Sequence, residues 1–148
     1  MQVKILIGVD DSPHSKAATE FVRKMTWPKD TKVIVLSVVQ PVAPAYAEVY
    51  APFALPMETL EDMTRMHQDI ASNAEQTLQV GSLTTEARVL QGDPRTTLIE
   101  AAYSEHVDLI VVGSHGRTGL AKLLIGSVAS HVVTHAPCSV LVVKLEKR

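Results

Sequence analysis

The sequence predicts an α/β fold: a five-stranded parallel sheet with helices on both faces. Three observations carry this. Apolar runs rich in β-branched residues alternate with helical patterns along the 148 residues, and strict strand–helix alternation means a parallel sheet. The run Lys32–Val39 is apolar at nearly every position, as a strand covered on both faces must be. Two helix starts are marked by Ser12-Pro13 and Asp93-Pro94, a capping side chain followed by a proline whose missing N–H costs nothing in the first turn.

Val3–Val9 reads as the first strand, ended by Asp10-Asp11-Ser12-Pro13. The helix that follows runs to about Thr26, with Ala17, Ala18, Phe21, Val22 and Met25 on one stripe. Lys32–Val39 is the second strand. Gln40–Pro56 holds Pro41, Pro44, Pro52 and Pro56 among many alanines and reads as a mobile loop. Met57–Val80 forms a long helix and Thr84–Leu90 the third strand. Gly92-Asp93-Pro94 starts the third helix, with Asp93 as its cap. Val107–Val112 is the fourth strand, Ser127–His135 the fourth helix and Cys138–Val143 the fifth strand.

The length suits one domain spanning 1–148. A net charge of −2 argues against a broad nucleic-acid-binding face. The single cysteine, Cys138, excludes an internal disulfide framework and fits a reducing, cytoplasmic setting. No apolar run reaches the length of a membrane span, and no secretory signal opens the chain.

The chemistry-bearing pattern is Gly113-Ser114-His115-Gly116 followed by Gly126-Ser127, a Gly-x2-Gly-x9-Gly-Ser spacing between a strand and a helix. It lacks the Gly-Lys pair of a Walker loop, and its glycines are spaced wrongly for the dinucleotide fingerprint. Glycine lets backbone approach a ligand closely, and a helix start offers free N–H groups at the positive end of the macrodipole. Together they make a phosphate cradle.

At these residues the chain resembles the universal stress protein family, in its ATP-binding branch. The resemblance spans nearly the whole chain. It rests on Lys4–Ser12, the strand ending at Val38, Asp108–Gly116, Gly126-Ser127-Val128 and Ala136–Lys144. It implies an open Rossmann-like sheet of order 3-2-1-4-5 with the first and fourth strands adjacent at the switch point. It also implies bound ATP with Mg2+ or Mn2+: phosphates on the N–H groups of Gly116, Gly126 and Ser127, adenine on the Val38 backbone and Asp10 on the nucleoside. Val112, Gly113, His115 and Val128 fall at the same site.

Several residues keep a plainer reading beside the functional one. Asp10 fits a turn as well as a nucleoside contact. Val38 is a core residue whose backbone alone matters, because a strand end leaves N–H and C=O groups unpaired. His115 fits loop filler or a ribose or phosphate contact. Arg117 and Lys122 are phosphate partners or solvated charges, and Gly119 is ordinary loop. His131 and His135 lie four apart on one helix face but lack the glutamate of a zinc motif, so no metal site is expected. Cys138 reads as an inert thiol, and Met57, Met63 and Met66 as packing.

Three functions compete. The first is an ATP-binding module that signals through a partner as a homodimer. Its interface is the apolar last strand, with Val140 and Val142 at the contact, as an edge strand and the resemblance both imply. The second is a slow ATP hydrolase or phosphoryl-transfer enzyme, for which the sequence offers no clear base; Asp11 and His115 are the only nearby candidates. The third is an interaction protein without nucleotide; such relatives depart from the glycine pattern that this chain keeps.

Overall fold

A computed structural model describes residues 1–41, 59–116 and 124–145. Of the expected Pro/Ala loop only Gln40 and Pro41 fall within it, and Met57, Arg117, Gly119 and Lys122 lie outside the described residues.

The elements follow in the order β1 (Lys4–Gly8), α1 (Pro13–Lys24), β2 (Lys32–Val39), α2 (Leu60–Leu78), β3 (Thr84–Gln91), α3 (Pro94–Ser104), β4 (Leu109–Gly113), α4 (Ser127–His135) and β5 (Ser139–Val143). The strands form one five-stranded sheet of order β3-β2-β1-β4-β5, and every pairing is parallel. Class, strand number and order are those expected. No helix among the described residues is long and apolar enough to cross a membrane.

Successive strand residues point to opposite faces, and the sequence supplies apolar groups to both. Ile5, Ile7, Val33, Val35 and Val111 pack under α1 and α2 with Ala18, Val22, Ala71 and Leu78. Leu6, Ile34, Leu36, Ile110 and Val112 pack under α3 and α4 with Leu98, Ala102, Ala129 and Val132. Each fully buried Ile, Leu or Val contributes about 1.5–3 kcal/mol of transfer free energy. The central strands are therefore the most firmly held part of the fold.

Local chemistry sets the helix ends. The Ser12 hydroxyl accepts the Ser15 N–H at the start of α1, and Asp93 accepts the Arg95 N–H at the start of α3. The long helix begins at Leu60, where Thr59 and Asp62 form a capping box; the expected start at Met57 lies outside the described residues.

The α1 stripe differs from expectation. Ser15, Ala18, Thr19 and Val22 are its buried residues, whereas Phe21 and Met25 are exposed. The two hydroxyls can be buried because they are bonded: Ser15 Oγ accepts the Asp10 N–H and Thr19 donates to the Ser15 carbonyl.

β1 pairs with β2 on one side and β4 on the other. The chain leaves β1 toward α1 on one face, while α3 and α4 cover the opposite face. The crevice beyond the carboxyl ends of β1 and β4 is thus the switch point, where α/β sheets bind ligands.

Candidate functional site

A cavity of about 550 Å³ opens at that crevice. Its lining brings together Asp10, Val38, Val112, Gly113, His115, Gly116, Gly126, Ser127 and Val128, the nine residues expected at the nucleotide; the candidate base Asp11 is not among them. Gly8, Leu36 and Leu98 form apolar floor, and His67, Asp93 and Arg95 also reach the lining.

The Val38 end of the cavity is built by strand register. Val9 donates to the Leu36 carbonyl, and Gly92 donates to the Val39 carbonyl. Alternation along a parallel strand then turns the Val38 N–H and C=O toward the β1 side. There β1 has ended, at the pair Gly8 with Leu36. Among the described residues neither Val38 group has a backbone partner outside the ladder. Val38 keeps its side chain buried, 8% exposed, while its backbone edge faces the cavity.

Asp10 sits at the mouth of β1, half-buried. One carboxylate oxygen accepts the Ser12 N–H at 2.9 Å, so the turn reading holds. The other oxygen faces the glycine loop: a methyl group added to Gly116 would lie 3.1 Å from it. The turn leaves this second oxygen on the cavity side, so the two readings of Asp10 are compatible.

The opposite end is the start of α4. Gly126 is its N-cap and has no side chain to cap it. The first intrahelical bond runs from Ser130 to the Gly126 carbonyl, so the N–H groups of Ser127, Val128 and Ala129 precede the helical ladder. Gly126 itself differs from expectation. Its N–H is spent on the Ser114 carbonyl at 2.6 Å. The cradle therefore offers Ser127 and Val128, not Gly126, as donors.

The glycines also have separate reasons to be glycine. A Cβ on Gly126 would meet His115 Cα at 3.1 Å and Ser114 O at 3.2 Å, which packs the helix start against the loop backbone. On Gly113 it would meet the His14 backbone at 2.8 Å, so that glycine serves the contact between β4 and α1.

Ser114 ties the loop down. It is 2% exposed, its N–H donates to the Val143 carbonyl, and its hydroxyl lies 3.0 Å from His115 Nδ1 and 3.3 Å from His14 Nδ1. The two imidazole rings stand 5.0 Å apart. His115 is therefore both a cavity-lining residue and a structural partner of Ser114.

Two features were not read from the sequence as part of the site. His67, 5% exposed, stands on the cavity wall with Nδ1 2.6 Å from the Ser37 hydroxyl. Asp93 and Arg95 bring an ion pair to the lining, with Arg95 Nη2 2.8 Å from Asp93 Oδ2 and Nε 3.2 Å from Oδ1. The Arg95 side chain, then its backbone N–H, hold the Asp93 carboxyl below the usual carboxylate range, with a smaller pull from His131. The Asp93-Pro94 cap was the available signal, since a helix entered from the carboxyl end of β3 starts at the ligand side of the sheet.

His131 and His135 stack on each other at 4.2 Å, and no group of three His, Cys, Asp or Glu among the described residues is placed to hold a metal ion. Burial raises the Cys138 thiol above its usual range, away from reactivity.

Comparison with known proteins places this geometry in a family. A universal stress protein of Thermus aquaticus, described by its place beside a QAH/OAS sulfhydrylase, is 30% identical over 95% of this chain and 97% of its own length. The solved hypothetical protein MJ0577 matches 100% of this chain and 99% of its own at 27% identity and a TM-score of 0.82. A universal stress protein solved in complex with cAMP matches 97% of each chain at 26% identity and a TM-score of 0.57. The profile of the universal stress protein family covers residues 1–144; this chain belongs to that family.

Proposed function

We propose that the chain is a single nucleotide-binding domain that holds ATP at the switch-point cavity. The carrying observation is that two backbone edges line one cavity and lack, among the described residues, a partner beyond their own strand or helix: the Val38 strand edge and the start of α4. The first suits the donor–acceptor edge of adenine. The second suits phosphate, which gains from free N–H groups and the helix dipole together. Asp10, between them, accepts a nucleoside hydroxyl. The Ser127 hydroxyl adds a bond to phosphate. A related protein bound to cAMP supports adenine-nucleotide chemistry for this fold.

The described residues offer no carboxylate cage for a cation, so phosphate and water supply most ligands of a bound Mg2+ or Mn2+. Nucleotide occupancy then acts as a cytoplasmic signal through a homodimer paired along β5, which ends the sheet order. Mass spectrometry of ligand released from freshly purified protein, followed by calorimetric titration of the stripped protein with ATP and Mg2+ or Mn2+, tests the reading. An adenine nucleotide and a saturable heat are expected; stripped protein that takes up no ATP refutes it.

A further inference from the structure

We propose that Arg95 is a movable phosphate arm of the cavity: its guanidinium leaves the Asp93 carboxylate to bind the nucleotide's phosphates, so this pair grades affinity by phosphate number. The inference rests on the nucleotide reading above and adds a residue to it.

Among the described residues of the cavity lining, Arg95 is the only side chain with a permanent positive charge, and Asp10 and Asp93 are the only carboxylates. One Asp10 oxygen is engaged in its own turn, which leaves the Asp93–Arg95 pair as the lining's adjustable charge. The pair is exposed enough to open. The Arg95 side chain is 50% exposed and that of Asp93 33%, and exposed ion pairs are weak because water and salt screen them. Phosphate competes well for a guanidinium, whose planar fork accepts two oxygens at once. Position agrees: Asp93 lies within electrostatic reach of His131, one turn along α4 from Ser127, so the pair flanks the helix start that faces the cavity. Asp93 also caps α3 through the Arg95 N–H, so the carboxylate stays fixed while the long arginine side chain turns.

Two substitutions separate this role from a structural one because they act in opposite directions. Arg95→Gln removes the arm. Asp93→Asn keeps a capping acceptor but removes the competing charge. The experiment is calorimetric titration of wild type and both variants with AMP, ADP and ATP in the presence of Mg2+, with thermal melts as a check on folding. For Arg95→Gln, ATP affinity should fall about ten-fold, the scale of one charge-assisted bond set against a screened pair, and AMP affinity less than about two-fold. For Asp93→Asn, ATP affinity should rise several-fold while AMP changes little. If Arg95→Gln leaves the ATP-to-AMP ratio unchanged, or Asp93→Asn weakens ATP as Arg95→Gln does, the arm is refuted while nucleotide binding stands. If wild type binds none of the three nucleotides, both readings fall together.

Discussion

Gly126 and Gly113 belong to one motif, yet the structure gives substitutions at them different consequences. Gly126 has φ −75° and ψ 169°, extended backbone open to any residue, so a side chain there costs no backbone strain. Its cost is steric and directed at the loop. The new Cβ would stand 3.1 Å from His115 Cα, 3.2 Å from Ser114 O and 3.8 Å from Gly116 N. Alanine needs a shift of a few tenths of an ångström. Valine adds two methyl groups, and overpacking of that kind costs roughly 1–3 kcal/mol, relieved by pushing Ser114–Gly116 away from α4. That displaces the cradle, and losing two charge-assisted bonds to phosphate costs about 3–6 kcal/mol of binding. Gly126→Val should therefore lower ATP affinity at least about a hundred-fold, with Gly126→Ala between it and wild type, while circular dichroism stays native. At Gly113 the Cβ would stand 2.8 Å from the carbonyl carbon and oxygen of His14, backbone at the start of α1. Gly113→Ala should instead cost about 2 kcal/mol of stability, near 4–8 °C in Tm for a domain of this size. Calorimetric titration and thermal melts on the same preparations read both quantities. ATP binding at wild-type strength in Gly126→Val refutes the placement of the phosphates. A wild-type Tm for Gly113→Ala refutes the steric argument.

Other expectations follow from the same geometry. Asp10→Ala should weaken ATP, ADP and AMP by a similar factor, because its contact is to the nucleoside, whereas Ser127→Ala should cost one hydrogen bond, about 1.5–3 kcal/mol; titration with the three nucleotides separates them. Light scattering at micromolar concentration should show a dimer that Val142→Arg dissociates, and a wild-type monomer would sink the β5 interface. Glu86 is held at about 2, first by the Arg88 side chain and then by Lys32, below an unfolded value of about 4.3. A carboxyl depressed in the folded state stabilises above its unfolded value, and that contribution fades as pH falls toward its folded one. Its side chain is 38% exposed, so screening keeps the effect small. Between pH 5 and pH 2.5, Glu86→Gln should lose slightly less Tm than wild type; parallel losses would count against the linkage.

The fold class was legible because β1, β2, β4 and β5 carry apolar runs and the starts of α1 and α3 carry a capping residue before a proline. Strand order was not in the periodicity; it came with the family resemblance. The α1 stripe went wrong at Phe21 and Met25 because hydrophobicity ranks them above Ser15 and Thr19. Two local hydrogen bonds let the smaller hydroxyl residues take the buried face. At the site, the glycine pattern found the loop but not the reason for each glycine, which depends on what approaches from α1 or from the loop itself. Asp93 reads as a cap in the sequence, and its place after β3 puts it on the ligand side of the sheet; that it shares a cavity with the start of α4 depends on strand order and packing.

The Ser114 hydroxyl has one hydrogen and two imidazole Nδ1 neighbours, on His14 and His115. It can donate to only one of them. If both contacts are hydrogen bonds, at least one ring must carry its proton on Nδ1 and give it to the oxygen, so the two histidines cannot both be the Nε2–H tautomer. Protonating the accepting ring turns it into a second donor and forces the Ser114 hydrogen elsewhere. Proton count at this one oxygen therefore links the opening turn of α1 to the glycine loop, a hundred residues along the chain, and nitrogen-detected magnetic resonance of the two rings would read it directly.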